Sequence, residues 1–206
     1  MEINVHTLGH IAANCYTVLS ANAALVIDPG QFSDAVANFL NQNADKQRLI
    51  LLTHSHFDHI CGAERLRSEC GAEIAIGEND AEGLTNTALS LSDKFHARQK
   101  PFNADVLLKD NQDFLIGDLN IKCIETPGHT RGGMCYLCQN KLFSGDTLFL
   151  ETVGRTDFPG ADHSTLLNSL KKLTVLDENT VVYPGHGNIT TIKHEKEFNP
   201  YIRGSI

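Results

Sequence analysis

The sequence predicts an α/β protein of four layers, with two β-sheets packed on each other and helices outside. Three observations carry this. Strand-like and helix-like segments come in two similar batches. Leu49-Ile50-Leu51-Leu52 is apolar without interruption, as in a strand buried on both faces. From residue 106 onward, short apolar runs are parted by Asp110-Asn111, Gly117-Asp118 and Gln139-Asn140, which are turn-forming pairs. At 206 residues the chain is expected to be one domain, spanning 1–206 and burying a substantial core.

In order, residues 5–8, 15–19 and 23–27 read as strands, the last two parted by a Ser20-Ala21-Asn22 turn. Asp28-Pro29-Gly30 ends that sheet segment. Ser33 is placed to cap a helix whose Val36, Phe39 and Leu40 share one face. The strand at 49–52 follows, then a helix over 60–70 with Leu66 and Cys70 facing inward, and a strand at 73–76. Segment 79–101 is polar with scattered leucines and receives no element or role. Strands are expected at 106–108, 114–116, 119–124, 134–137 and 141–143. A helix over 163–173, capped by His163, a strand at 180–183 and a helix over 191–198 complete the chain.

The composition, 41% apolar and 20% charged, is that of a soluble globular protein. A net charge of -8 disfavours nucleic acid, whose binding needs a basic face. No basic n-region opens the chain and no apolar run approaches the ~18 residues of a membrane span. A cytoplasmic location with no membrane partner is expected. The cysteines are then reduced thiols. Cys135 and Cys138 lie three apart in a strand, hence on opposite faces, and carry no site; Cys61 reads as a small buried residue.

Thr53-His54-Ser55-His56-Phe57-Asp58-His59 follows the buried strand and sets three imidazoles and a carboxylate into consecutive positions. Packing does not explain such a cluster, whereas metal coordination does. Three more loops carry ligand-type residues after strands: Pro127-Gly128-His129, Ser144-Gly145-Asp146 and Pro184-Gly185-His186. Seven candidate ligands are too many for one ion and suit two. His54, His56 and His129 are assigned to the first metal, Asp58, His59 and His186 to the second, with Asp146 as the bridge. Two ions ~3.5–4 Å apart can hold a hydroxide between them. Zinc is expected; iron and manganese accept the same donors.

In this order the motifs resemble the ligand pattern of the metallo-β-lactamase superfamily, and the resemblance spans essentially the whole chain. It implies an αββα sandwich with the site at the sheet edges. Residues 144–149 and 153–160 are similar to small glyoxalase II-type hydrolases. The resemblance therefore implies hydrolysis of a small-molecule thioester, such as S-D-lactoylglutathione, by a metal-bridging hydroxide. Asp58 would orient that hydroxide and take its proton. Arg155, in a Gly-rich loop, is expected either to fork onto a substrate carboxylate or to form an ion pair with Asp157 or Asp162. The helical C-terminal domain by which full-length glyoxalase II enzymes help hold glutathione is not expected here. The rival is a one-iron persulfide dioxygenase of the same superfamily, which shares the Gly154-Arg155-Thr156-Asp157-Phe158 stretch. A lactone or β-lactam hydrolase is a further alternative, although β-lactamases commonly place Cys at the position of Asp146 and Arg at that of His59. Oligomeric state is not legible. Asn14-Cys15-Tyr16 is read as either touching substrate or shaping the first hairpin.

Overall fold

A computed structural model describes residues 1–97 and 99–203. Its first sheet runs β1 (Glu2–Leu8), β2 (Ala13–Leu19), β3 (Ala23–Ile27), β4 (Gln47–Leu52), β5 (Glu73–Gly77), β6 (Val106–Leu108), in that spatial order. β1 to β3 form an antiparallel meander, and β3 to β6 are parallel. The parallel part needs crossovers, which α1 (Asp34–Gln42), α2 (Phe57–Ile60) and α3 (Ala63–Cys70) supply.

The second sheet contains β7 (Asp113–Ile116), β8 (Leu119–Glu125), β9 (Met134–Cys138), β10 (Lys141–Gly145), β13 (Val181–Pro184) and β14 (Thr190–Thr191). Between β10 and β13 come a small hairpin, β11 (Leu148–Phe149) with β12 (Thr152–Val153), and the helix α4 (His163–Thr174). Helices α5 (Ile192–Phe198) and α6 (Pro200–Arg203) close the described chain.

Strand periodicity sorts the apolar residues into layers. Leu49 and Leu51 point between the sheets to meet Tyr136, Cys123 and Phe143. Ile50 and Leu52 point the other way, onto Val36 and Leu40 of α1 and Leu66 and Cys70 of α3. Behind the second sheet, Cys135, Leu142 and Val182 pack on Leu170 and Leu173 of α4. This is the expected four-layer sandwich. Cys135 and Cys138 fall in different layers, as their spacing requires. Each fully buried Leu or Ile contributes roughly 1.5–3 kcal/mol relative to exposure.

Local details differ from expectation. Ser33 occupies the N-cap of α1 but its side chain makes no capping bond. The helix expected over 60–70 breaks at Gly62, where a Cβ would stand 2.6 Å from the Gln31 carbonyl carbon. α4 is capped not by His163 but by Asp162, which accepts from the Thr165 N–H. Among the described residues, no helix is long and apolar enough to cross a membrane.

Candidate metal centre

All four ligand loops emerge at one edge of the sandwich. His54 and His56 follow β4, and Asp58 and His59 lie on α2. His129 follows β8, Asp146 follows β10 and His186 follows β13. Main-chain bonds lock the two sheets together here: Met134 N–H donates to Thr53 O (2.8 Å) and Asn14 N–H to Gly185 O (2.7 Å). Within the second sheet, Gly185 N–H donates to Gly145 O (2.9 Å) and joins two ligand loops. Asn14 and Tyr16 thus have a definite task. Asn14 Nδ2 donates to the Pro184 and Gly187 carbonyls, and Tyr16 Oη to Pro184 O at 2.6 Å. They pin the loop that carries His186.

The seven side chains converge. His54, His56 and His129 form one group, and Asp58, His59 and His186 another, each with ligand atoms within 4.8 Å of one another. In the first, His56 Nδ1 lies 2.9 Å from His129 Nε2. In the second, Asp58 Oδ2 lies 3.3 Å from His186 Nε2 and 3.7 Å from His59 Nε2. Asp146 stands between the groups. Its Oδ1 is 3.4 Å from His59 Nε2, and its Oδ2 is 3.5 Å from His129 Nε2 and 3.6 Å from His186 Nε2.

These residues fit metal ions. His54 Nε2, His59 Nε2 and Asp146 Oδ1, which face the two groups, are buried without a hydrogen-bond partner. Each such orphan costs about 1–3 kcal/mol if nothing satisfies it. A tetrahedral ion with ~2.0–2.1 Å bonds sets neighbouring donor atoms about 3.3 Å apart, within the spread of separations seen. Imidazole and carboxylate donors suit zinc, iron and manganese alike.

Orientation comes from residues behind the ligands. His59 Nδ1 donates to Asp28 Oδ2 at 3.0 Å. Thr53 donates to Asp28 twice, through its N–H (2.7 Å) and its hydroxyl (2.6 Å). Because that hydroxyl is spent as a donor, it accepts from His54 Nδ1 at 3.0 Å. His129 Nδ1 donates to the Arg155 carbonyl at 2.7 Å. All three rings therefore carry Nδ1–H and present a bare Nε2, the tautomer a metal requires. Asp28 also lies close to His54 and His59, but both its oxygens are spent on these donors, so it orients ligands and is not one.

Sequence reasoning missed Asp28, reading it only as the end of a sheet segment. The available signal was a carboxylate at the end of a strand buried throughout, next to Pro-Gly. It also missed Asp80, buried in segment 79–101, which accepts from Ser55 N–H (2.7 Å) and Gly132 N–H (3.1 Å) and ties two ligand loops together.

Electrostatics divide the rings. Burial, and then the neighbouring imidazoles, hold His54 and His56 well below the ordinary histidine value. Burial opposes protonation of His59 too, but Asp146, Asp58 and Asp28 outweigh it and push His59 up to about 10. Burial would raise Asp58, yet His59 and His186 hold it well below the usual carboxylate range. Metal binding must displace the His59 proton. Close approach is why Gly185 is glycine: a Cβ there would stand 2.2 Å from Asp146 Oδ1.

The ligands floor a cleft of about 360 Å³, walled by Phe57, Leu91, Phe95, Phe149 and Phe158. Segment 79–101 thus supplies part of the wall, with Phe95 stacked on Phe57 at 5.1 Å. At the rim, the Arg155 guanidinium forks onto Asp157 (2.9 and 2.6 Å) and lies 4.5 Å from the Phe158 ring centre. Cys61 is not fully buried, contrary to expectation.

A family model described as Metallo-beta-lactamase superfamily matches residues 8–186. The chain belongs to the metallo-beta-lactamase superfamily. Like others of this superfamily it combines the four-layer fold with a His-rich edge. Among curated relatives, Hydroxyacylglutathione hydrolase GloC of Haemophilus influenzae is 32% identical over 98% of this chain and 98% of its own. Among solved structures, BLEG-1 B3 metallo-beta-lactamase is 35% identical with a TM-score of 0.90, covering 98% of this chain and 99% of that one. TTHA1623 in a di-iron-bound form is 31% identical with a TM-score of 0.84, covering 96% and 99%. GloC and BLEG-1 carry the names of different activities, although both are similar to this chain over nearly its whole length.

Proposed function

We propose that this chain is a dinuclear metal hydrolase that cleaves a small-molecule thioester of the hydroxyacylglutathione type. The observation that carries the two-metal reading is Asp146, whose Oδ2 lies near His129 of the first group and His186 of the second while its Oδ1 lies near His59 of the second. The similarity to GloC supports the substrate class.

His54, His56 and His129 would hold one ion, Asp58, His59 and His186 the other, and Asp146 both. Bound there, two divalent ions supply an activated water and polarise the substrate carbonyl. The chain's own part is orientation and exclusion. The Asp58 carboxylate, kept ionised by His59 and His186, lines the cleft and accepts the proton of the attacking water. The Phe57, Phe95, Phe149 and Phe158 rings keep bulk water from the scissile bond. Arg155 at the rim binds an acidic group of the thiol carrier by exchanging Asp157 for it.

A β-lactam substrate is the second reading, favoured by the match to BLEG-1. One preparation decides between them. Metal content is measured beside S-lactoylglutathione cleavage, β-lactam turnover, and oxygen uptake with glutathione persulfide. About two metals per chain with thioester cleavage is expected. Turnover of β-lactam alone, or one iron with oxygen uptake and no cleavage, overturns the proposal.

A further inference from the structure

A second cavity, of about 650 Å³, adjoins the metal cleft and plays no part in the chemistry above. The two share Ile11, Phe57, Asp58 and Phe95, so Asp58 stands at their junction. The cavity is enclosed by the β1–β2 turn, the loop after β3, the α2–α3 break and residues 95–97. Leu8, Ile11, Phe32, Phe57 and Phe95 give it an apolar lining. Ile11 and Phe95, which line both hollows, are 44% and 43% exposed, so apolar surface is open to a ligand there. No Lys or Arg is among its described lining residues.

Arg155 and Phe158 line the metal cleft but not this cavity. Lys94 Nζ lies 4.9 Å and Arg155 Cζ 4.5 Å from the centre of the Phe158 ring, and Asp157 is paired with Arg155 there. A molecule spanning both hollows thus meets the apolar cavity residues, Asp58 at the junction, and two cationic groups around Phe158.

We propose that the 650 Å³ cavity is an acyl subsite, and that the substrate is a thioester joining an apolar acyl arm, longer than lactoyl, to an anionic thiol carrier. This rests on the thioester reading above. The acyl chain runs over Phe57 into the cavity, the reacting carbonyl lies beside Asp58, and the carrier's acidic group lies at the Arg155 and Lys94 rim. The volume is that of a pocket for a drug-sized ligand, larger than a three-carbon acyl group needs.

Two measurements test it. The first is kcat/KM of the metal-loaded protein on glutathione thioesters with acyl chains of increasing length, from acetyl to decanoyl. Burial of each methylene predicts a rise of about twofold to fourfold per carbon before a plateau. Gln31→Trp, at an exposed lining position, should lower the ratio of octanoyl to acetyl kcat/KM at least tenfold; Ala97→Trp fills the cavity from the facing wall if the first variant is unstable. The second measurement needs no catalysis. Cys61 lines the cavity and is the one cysteine not fully buried. Sodium octanoate should slow its alkylation by iodoacetamide, followed by mass spectrometry, severalfold, and acetate should not. Cleavage of acetyl and lactoyl thioesters with no chain-length dependence and no octanoate protection overturns the acyl subsite while leaving the thioester reading intact. Protection by octanoate with no thioester cleaved keeps the apolar subsite and removes the thioester reading.

Discussion

Replacing Asp28 with asparagine keeps the shape of a fully buried side chain and changes one hydrogen-bonding valence. The carboxylate accepts three bonds: from Thr53 N–H at 2.7 Å, Thr53 Oγ1–H at 2.6 Å and His59 Nδ1–H at 3.0 Å. An asparagine oxygen still accepts from the Thr53 N–H. Its NH2 then faces His59 Nδ1–H, two donors head to head in a dry site. His59 relieves the clash by moving its proton to Nε2, the atom that lies 3.4 Å from Asp146 and 3.7 Å from Asp58. That nitrogen can no longer bind an ion. Loss of such an orienting partner costs about 10–100-fold in metal affinity, or about 1.4–2.8 kcal/mol. The cost should fall mainly on the ion held by Asp58, His59 and His186, because His59 meets the new NH2 directly, whereas His54 feels the change only through the Thr53 hydroxyl, which loses the same acceptor, and His129 takes its tautomer from the Arg155 carbonyl. Competition with a chromophoric chelator resolves the two binding steps. The expected titration weakens one step more than the other. Equal weakening of both, or none, would refute the role given to Asp28.

Three further outcomes follow from the same geometry. Asp146→Ala should abolish binding of both ions and lower kcat/KM roughly 1,000-fold or more, whereas His186→Ala leaves one ion bound; metal analysis after dialysis separates them. Gly185→Ala puts a methyl group 2.2 Å from Asp146 Oδ1 and 2.7 Å from His59 Cε1, so it should lose at least tenfold in metal affinity, measured by chelator competition. Asp162→Ala should lower Tm by a few degrees at pH 7, and Asp162→Asn should not, since asparagine also caps. The Thr165 and Ser164 hydrogen bonds hold Asp162 down to about 2, against an ordinary 3.8. Its contribution is therefore present above about pH 3.8 and disappears as pH falls through about 2. The Tm gap between wild type and Asp162→Ala should close over that interval.

The convergence of the seven candidate side chains was legible because their chemistry is local. Imidazoles after a buried strand have few uses, and each remaining ligand follows a strand and sits beside glycine. The layer order was legible because Leu49 and Ile50 belong to different cores, which period-two alternation requires of a strand covered on both faces. What escaped was set by tertiary approach. Asp28 and His59 are 31 residues apart and meet only because β3 and β4 pair in parallel. Asp80 sits in a segment without periodicity, and its meaning lies in two amide groups brought to it by other loops. Gly62 breaks a helix that its own sequence would continue, because the Gln31 backbone passes too close. Cys61 next to it opens onto a cavity that exists only once four separate segments assemble.

The same division explains how one frame can serve relatives named for different activities. His54, His56 and His59 are buried, cross-bonded to Thr53, Asp28 or His129, and held where the two sheets are stitched together, so substitution behind them is felt at the ions. The groups that would meet substrate are of another kind. Ile11, Phe95, Lys94 and Arg155 are exposed, stand on turns and loops, and are joined to the frame by ring stacking and surface ion pairs. Surface pairs of that sort are worth about 0–1 kcal/mol, so the rim can be rebuilt with little cost to the fold. A B3 metallo-beta-lactamase 35% identical to this chain and a hydroxyacylglutathione hydrolase 32% identical to it are then what such a construction should yield. On the proposed reading, substrate identity would be set by Ile11, Phe57, Phe95, Phe158 and Arg155, and ions held beneath them would activate water for whatever ester, thioester or lactam those residues admit.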